Sequence, residues 1–143
     1  MTQEGKTVTE LLVVIGIIAI VASMALPNFM SLNSRTQVRC AAEEIASELR
    51  LAKQLALTHH DRVRVFIDLD QRELVTQFVQ TGLTHHVYRY SDKQVVIEEP
   101  SGGAEILFHP SGRSATATTI YLHGQVGPNQ KLTVSITGRV SIL

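Results

Sequence analysis

One run of residues restricts this chain more than any other. From 11 to 26, sixteen consecutive residues carry no charge, and an α-helix over them is about 24 Å long, close to the hydrocarbon thickness of a bilayer. Extending the run back to Thr7 gives 20 residues and admits a single carboxylate, Glu10. A helix that is apolar all the way round is a poor fit to the core of a small domain, which buries one stripe and leaves the other in water. A secretory signal peptide is a further alternative, since Ala22-Ser-Met-Ala25 has the small residues of a cleavage site, but no basic residue precedes Lys6. A membrane helix fits best. In that setting Glu10 is the oddity: an ionisable side chain at the bilayer centre costs roughly 2.5–3.5 kcal/mol and less toward the interface, so it sits at headgroup depth, has a partner, or has a task. Lys6, four residues earlier, lies on the same helical face.

Setting this segment aside, the 143-residue chain has room for one further domain. Its 13 basic and 13 acidic residues balance, so net charge points neither to nucleic acid nor to an acidic surface. Cys40 is the sole cysteine, which excludes an intramolecular disulfide and offers no metal-ligand spacing; it reads as a small helix residue. Between 31 and 58 the pattern is an amphipathic helix. Val38, Ala41, Ala42, Ile45, Leu49, Ala52 and Leu55 recur at three- and four-residue spacing, with Arg39, Glu43, Ser47, Arg50 and Gln54 on other faces. From Arg62 the period drops toward two. The predicted strands are 62–69, 73–79, 86–90, 95–97, 105–108, 118–122, 131–136 and 140–143. They are punctuated by turn residues at 70–72, 100–103, 110–112, Gly124, 127–129 and 137–138. Many short strands after one long helix mean an α+β unit whose sheet covers the apolar stripe of the helix.

Gly5, Thr7, Val8, Glu10-Leu-Leu-Val-Val-Ile15 and Ala25-Leu-Pro-Asn-Phe29 together resemble the class III signal of type IV pilin-like proteins. The resemblance implies that a prepilin peptidase cuts after Gly5 and that the new N-terminus, Lys6, is methylated. It places the family's glutamate on Glu10 and its helix-bending proline on Pro27. It departs from the family at two places: Lys6 stands where phenylalanine or methionine is usual, and the leader carries Glu4 where basic residues are usual. The implied task of Glu10 is assembly, its carboxylate neutralising the terminal amine of a neighbouring subunit inside an apolar helix bundle, where an unpaired charge is costly. Pro27 lacks an amide proton and crowds the carbonyl four residues back, so a kink near Ser23 is expected.

A second, narrower resemblance covers the rest. Ile106-Leu-Phe-His-Pro-Ser-Gly-Arg113, the strand Thr119-Ile-Tyr-Leu122, Leu132-Thr-Val-Ser-Ile-Thr-Gly-Arg-Val140 and the helix stretch 41–56 are similar to the GspH/FimT family of minor pseudopilins and pilin-like proteins. The implied fold is the type IV pilin-like α+β fold, a long N-terminal helix packed on an antiparallel β-sheet head. The chain then divides into a leader (1–5), a transmembrane and assembly helix (6–29), the amphipathic half of the helix (30–60) and a β-rich periplasmic head (61–143). The implied partners are prepilin peptidase, other major and minor pilins or pseudopilins, and inner-membrane lipid. The implied function is that of a structural subunit of a type II secretion pseudopilus or a type IV pilus.

Other chemistry is weakly supported. Six histidines invite a metal, but adjacent histidines (59–60 and 85–86) diverge on either a helix or a strand, so neither pair chelates alone. No serine or cysteine has a base at motif spacing, which leaves only a triad assembled from distant loops for an enzyme. No catalytic residue, metal or cofactor is therefore assigned. Some FimT proteins take part in DNA uptake through a C-terminal Gly-Arg-any-Arg motif. Gly138-Arg-Val-Ser141 retains the first arginine and has Ser141 in place of the second, so the secretion or pilus role is favoured over double-stranded DNA binding. Arg113, Lys131 and Arg139 are the residues for the DNA alternative, although one arginine supplies a small part of what non-specific binding needs.

Overall fold

The computed structural model describes residues 4–124 and 128–143, and for 4–6 and 25–31 the backbone alone. Met1 to Gln3 of the expected leader, and Gly127 of an expected turn, lie outside the described residues. One helix, α1 (Glu4–His59), precedes eight strands: β1 (Val63–Asp68), β2 (Glu73–Phe78), β3 (Thr84–Arg89), β4 (Val95–Ile97), β5 (Glu105–Phe108), β6 (Thr118–Gly124), β7 (Gln130–Val134) and β8 (Val140–Ile142). Pro27 falls inside α1 and does not end it. The chain separates into two compact units, Met1–Asn33 and Ser34–Leu143.

In the second unit, α1 buries the stripe its periodicity predicts. Val38, Ala41, Ala42, Ile45, Leu49 and Ala52 are buried, joined by Ala46 and Ala56, and Leu55 is partly covered. Arg39, Glu43, Ser47, Arg50 and Gln54 are exposed, as a solvated face requires. Five of the eight buried helix residues are alanines, which lets the strands approach the helix axis closely, while Ile45 and Leu49 each contribute roughly 1.5–3 kcal/mol of burial. The helix stops where His60 takes φ 51°, a left-handed conformation that closes the last turn.

The strands form two four-stranded antiparallel sheets, ordered β3-β2-β1-β5 and β4-β6-β7-β8, where the sequence suggested one. Both contribute to one core: Val63, Val65, Ile67, Leu74, Ile106 and Phe108 from the first, Ile97, Ile120, Leu122, Leu132 and Val134 from the second. Period-two burial explains β1, whose Val63, Val65 and Ile67 face inward while Phe66 points to solvent. The β1–β2 turn is fixed by Asp68, whose Oδ1 accepts from the amides of Asp70 (3.0 Å) and Gln71 (2.8 Å).

Three strands differ from expectation. β6 runs two residues further, through Gly124, an expected turn residue, because His123 and Gly124 pair with Val96 and Val95 of β4. β3 begins at Thr84, two residues early, and its pairing to β2 shifts register at Thr76/Gln77; most of its residues are exposed, so burial does not pin it. β7 ends at Val134, because the Ser135 amide donates to the Arg139 carbonyl (3.0 Å) and the Gly138 amide to the Ser135 carbonyl (2.8 Å), closing a hairpin that puts Ile136 in the turn. The two sheets meet at the segment after β5. There the Ala115 amide donates to the Leu107 carbonyl (2.8 Å) in the first sheet, and the Ser114 amide to the Ile136 carbonyl (3.0 Å) in the second.

Candidate assembly helix and basic turn surface

The first candidate surface is the N-terminal part of α1. Thr7–Met24 is long and apolar enough to cross a membrane, and none of it is buried by the rest of the chain. Leu11, Leu12, Ile15, Ile18 and Met24 are all more than half exposed. Glu10 is the single charged side chain in this window, and it too is exposed. Ser23 does not add an unmet polar group, since its Oγ donates to the Ile20 carbonyl at 2.7 Å. Helix geometry satisfies the backbone, so the segment presents an apolar cylinder with one carboxylate, the composition that lipid or other helices can cover. The side chains of Lys6 and Pro27 lie outside the described residues; Gly5 falls in the first turn of α1.

The second surface is built by two turns far apart in sequence. His109-Pro-Ser-Gly-Arg113 closes with the Gly112 amide donating to the His109 carbonyl (2.8 Å) and the His109 amide to the Arg113 carbonyl (2.8 Å). It packs directly on the β7–β8 turn. Gly138 (φ 71°) and Gly112 (φ 77°) are both left-handed, and a β-carbon on Gly138 would overlap the Gly112 carbonyl. The glycines of the two Gly-Arg pairs noted in sequence thus touch, and this contact carries Arg113 and Arg139, both exposed, to neighbouring turns. Lys131 is not part of this arrangement. It pairs with Tyr121 and Leu143 at the other end of the β7–β8 hairpin and is half-buried.

Two cations of α1 also reach this arrangement: Arg50, which the sequence places off the apolar stripe, and Lys53, which the sequence did not single out. Lys53 Nζ donates to the Gly138 carbonyl at 3.0 Å, and Arg50 Nη2 approaches the Val140 carbonyl at 3.5 Å. Both carbonyls flank Arg139. Helical spacing places Arg50 and Lys53 one turn apart, but their partners lie 90 and 85 residues away, so no local pattern announces them.

A third cluster is structural. Tyr88 Oη donates to Glu44 Oε2 at 2.6 Å, Lys93 Nζ donates to the same oxygen, and Lys93 also donates to Tyr88 Oη at 3.1 Å. These bonds tie α1 to β3 and to the β3–β4 loop. The Lys93 bond, then the Tyr88 bond, hold the Glu44 carboxyl below its ordinary range against partial burial. Burial first, then the Glu44 bond, push the Tyr88 phenol up. Partial burial pulls the Lys93 ammonium down, but its bonds to Glu44 and Tyr88 outweigh this and raise it. His86 Nδ1 lies 3.1 Å from Glu48 Oε2 one helical turn further on. Among the described residues, no group of three or more His, Cys, Asp or Glu is arranged to hold a metal ion.

Comparison with known proteins agrees with this architecture. Residues 41–138 match the family described as Type II transport protein GspH. The type IV minor pilin FimU of Pseudomonas aeruginosa superposes with a TM-score of 0.66 at 16% identity, over 78% of this chain and 92% of that one. The minor pseudopilin EpsH from the type 2 secretion system of Vibrio cholerae superposes with a TM-score of 0.63 at 16% identity, over 75% and 96%. A curated fimbrial protein of Pseudomonas aeruginosa is 40% identical over 55 residues, 38% of this chain and 35% of its own length, so that match spans about a third of the relative. The apolar helix, the two-sheet head packed on its continuation, and a family match over most of that head make this chain a member of the GspH family, a pilin-like structural protein and not an enzyme.

Proposed function

We propose that the chain is a minor subunit of a type II secretion pseudopilus or a type IV pilus, anchored in the bacterial inner membrane by its N-terminal helix with the head in the periplasm. One observation carries this reading: Thr7–Met24 stands bare and apolar with a lone carboxylate, on a chain whose head belongs to the GspH family. Prepilin peptidase removes residues 1–5 by cutting between Gly5 and Lys6, and Lys6 is N-methylated. Glu10 then pairs with the terminal amine of a neighbouring pilin or pseudopilin as the subunit leaves the lipid, because two opposite charges in an apolar bundle cost far less together than apart. Pro27 supplies the bend between the assembly helix and its continuation.

The intact mass of membrane-extracted protein tests processing. The expected chain lacks Met1 to Gly5 and carries one added methyl; an uncut chain refutes the reading. Glu10→Ala is expected to remove the chain from sheared filaments while leaving the thermal unfolding of the head unchanged, and normal incorporation of that variant would refute the assembly role. A second reading, a DNA-binding subunit in transformation, draws on the meeting of the Arg113 and Arg139 turns beside Lys53. A gel shift of the full chain in detergent with double-stranded DNA at low and moderate salt, with Arg139→Ala alongside, tests it. Binding through these few cations should weaken steeply with salt, and no shift at low salt removes the reading.

A further inference from the structure

The head has a pole rich in cations. No Asp or Glu occurs in residues 49–60 or 106–143, the two stretches that meet around the paired Gly112 and Gly138 turns. Arg50, Lys53, Arg113 and Arg139 gather there, and none of them belongs to an ion pair among the described residues. The chain as a whole is neutral, so four cations here leave a matching excess of carboxylates elsewhere. Elsewhere on the chain, Arg39, Arg64, Arg89 and Lys93 each face a carboxylate.

The pole is not uniformly polar. A cleft of about 370 Å³ opens between the two turns, lined by His109, Ser111, Arg113, Ser114, Ala115 and Ile136. Ile136 is 54% exposed at the turn tip, with its own carbonyl engaged by Ser114. The cleft sets one exposed aliphatic side chain among polar groups, with Arg113 in its lining, and arginine is enriched in protein interfaces. Duplex DNA asks for something else, a row of free cations tracking phosphates. Here Lys53 and Arg50 are already directed at backbone carbonyls, leaving Arg113 and Arg139 as the free pair.

We propose that this pole docks a carboxylate-bearing, partly apolar surface of another pilin-like subunit in the same filament, with Ile136 seated against its apolar part and Arg113 and Arg139 on its acids. The inference rests on the filament-subunit reading. Charge complementarity of this kind sets register and excludes neighbours that present cations to the pole.

The test uses the full-length chain in cells that assemble the filament, with a photo-crosslinking residue at Ser111. The expected adduct joins a pilin-like subunit through a peptide containing Asp or Glu. Its yield should fall at least about tenfold in the Arg113→Glu, Arg139→Glu double variant, as like charges are brought together. Yield should return when the mapped carboxylate is changed to arginine. Arg113→Gln with Arg139→Gln should give a smaller loss, and thermal unfolding of each variant should match the parent. An adduct to DNA, an unchanged yield in the double reversal, or a mapped peptide without acids overturns the proposal. The intact mass of the same sample separates the causes: a processed chain whose crosslink ignores the arginines defeats this inference alone, and an unprocessed chain defeats the filament reading with it.

Discussion

Two stretches of the same helix treat apolar side chains in opposite ways. In Thr7–Met24 every large apolar residue is exposed, and a single glutamate interrupts the run. In the stretch from Ser34 to His59, apolar residues other than Leu51 gather on one stripe and that stripe is covered by two sheets. Backbone geometry is shared, so helix formation does not decide where apolar area goes; the arrangement of charges around the circumference does. The second stretch is finished within its own chain. The first is left uncovered by the rest of its own chain, so its apolar residues should not be read out by head stability.

Substitutions can break or sharpen this contrast. The largest effect is expected from Leu49→Ala, which removes a side chain with no exposed surface and should destabilise the head by roughly 2–5 kcal/mol in denaturant unfolding of the detergent-solubilised chain. Leu12→Ala, at 64% exposure, should leave the same transition within about 0.5 kcal/mol. Equal losses from the two would erase the distinction. Gly138→Ala comes next. Left-handed backbone strain costs roughly 1–3 kcal/mol, and the clash with the Gly112 turn adds to it, whereas Gly82→Ala at φ 68° meets no neighbour and should cost only about 1–2 kcal/mol. Similar melting temperatures for the two variants would mean that the turns do not press together.

The smallest effect is expected from Glu44→Gln. The carboxylate is about half exposed, so screening limits its bonds to about 1 kcal/mol or less. The sign with pH is definite. Glu44 is held below its ordinary value, so its contribution is present above the unfolded carboxyl range and fades as pH falls through the lowered folded value. Lys93 is raised, so its contribution is complete below the unfolded lysine range and fades as pH rises through the raised folded value. Urea titrations across pH should show the parent losing stability in both directions relative to Glu44→Gln, and parallel profiles would remove the cluster from the stability of the head.

Much of this fold was legible where one physical rule governs. The α1 stripe follows the 3.6 period, and every residue assigned to it is covered wholly or in part. β1, β4 and β5 follow strict alternation or short apolar runs between turn residues. The rule weakens where neither face is buried, as in β3, whose start and register came from pairing and not from hydrophobic pattern. Ile136 was assigned to a strand because it continues the alternation of β7, and the Ser135–Arg139 bond turned it outward. The division into two sheets depends on which strands pair, which no local segment encodes. The candidate surfaces show the same split. Glu10 stands out against its neighbours in sequence, but Lys53 and Arg50 gain their meaning only from carbonyls 85 and 90 residues on.

Those two long-range bonds bear on how the chain is made. Helix α1 leaves the ribosome before the strands that cover its stripe, and the turn whose carbonyls Lys53 and Arg50 hold follows some 85 residues later. Closing a loop of that length is entropically unfavourable and slow compared with forming the helix or the β1–β2 hairpin. A nascent head consequently lacks the share of its core that Leu132, Val134 and Val140 supply until β7 and β8 arrive. Arrival of the β7–β8 turn also brings the Arg113 and Arg139 turns together, so a head that has not finished folding has no complete basic pole.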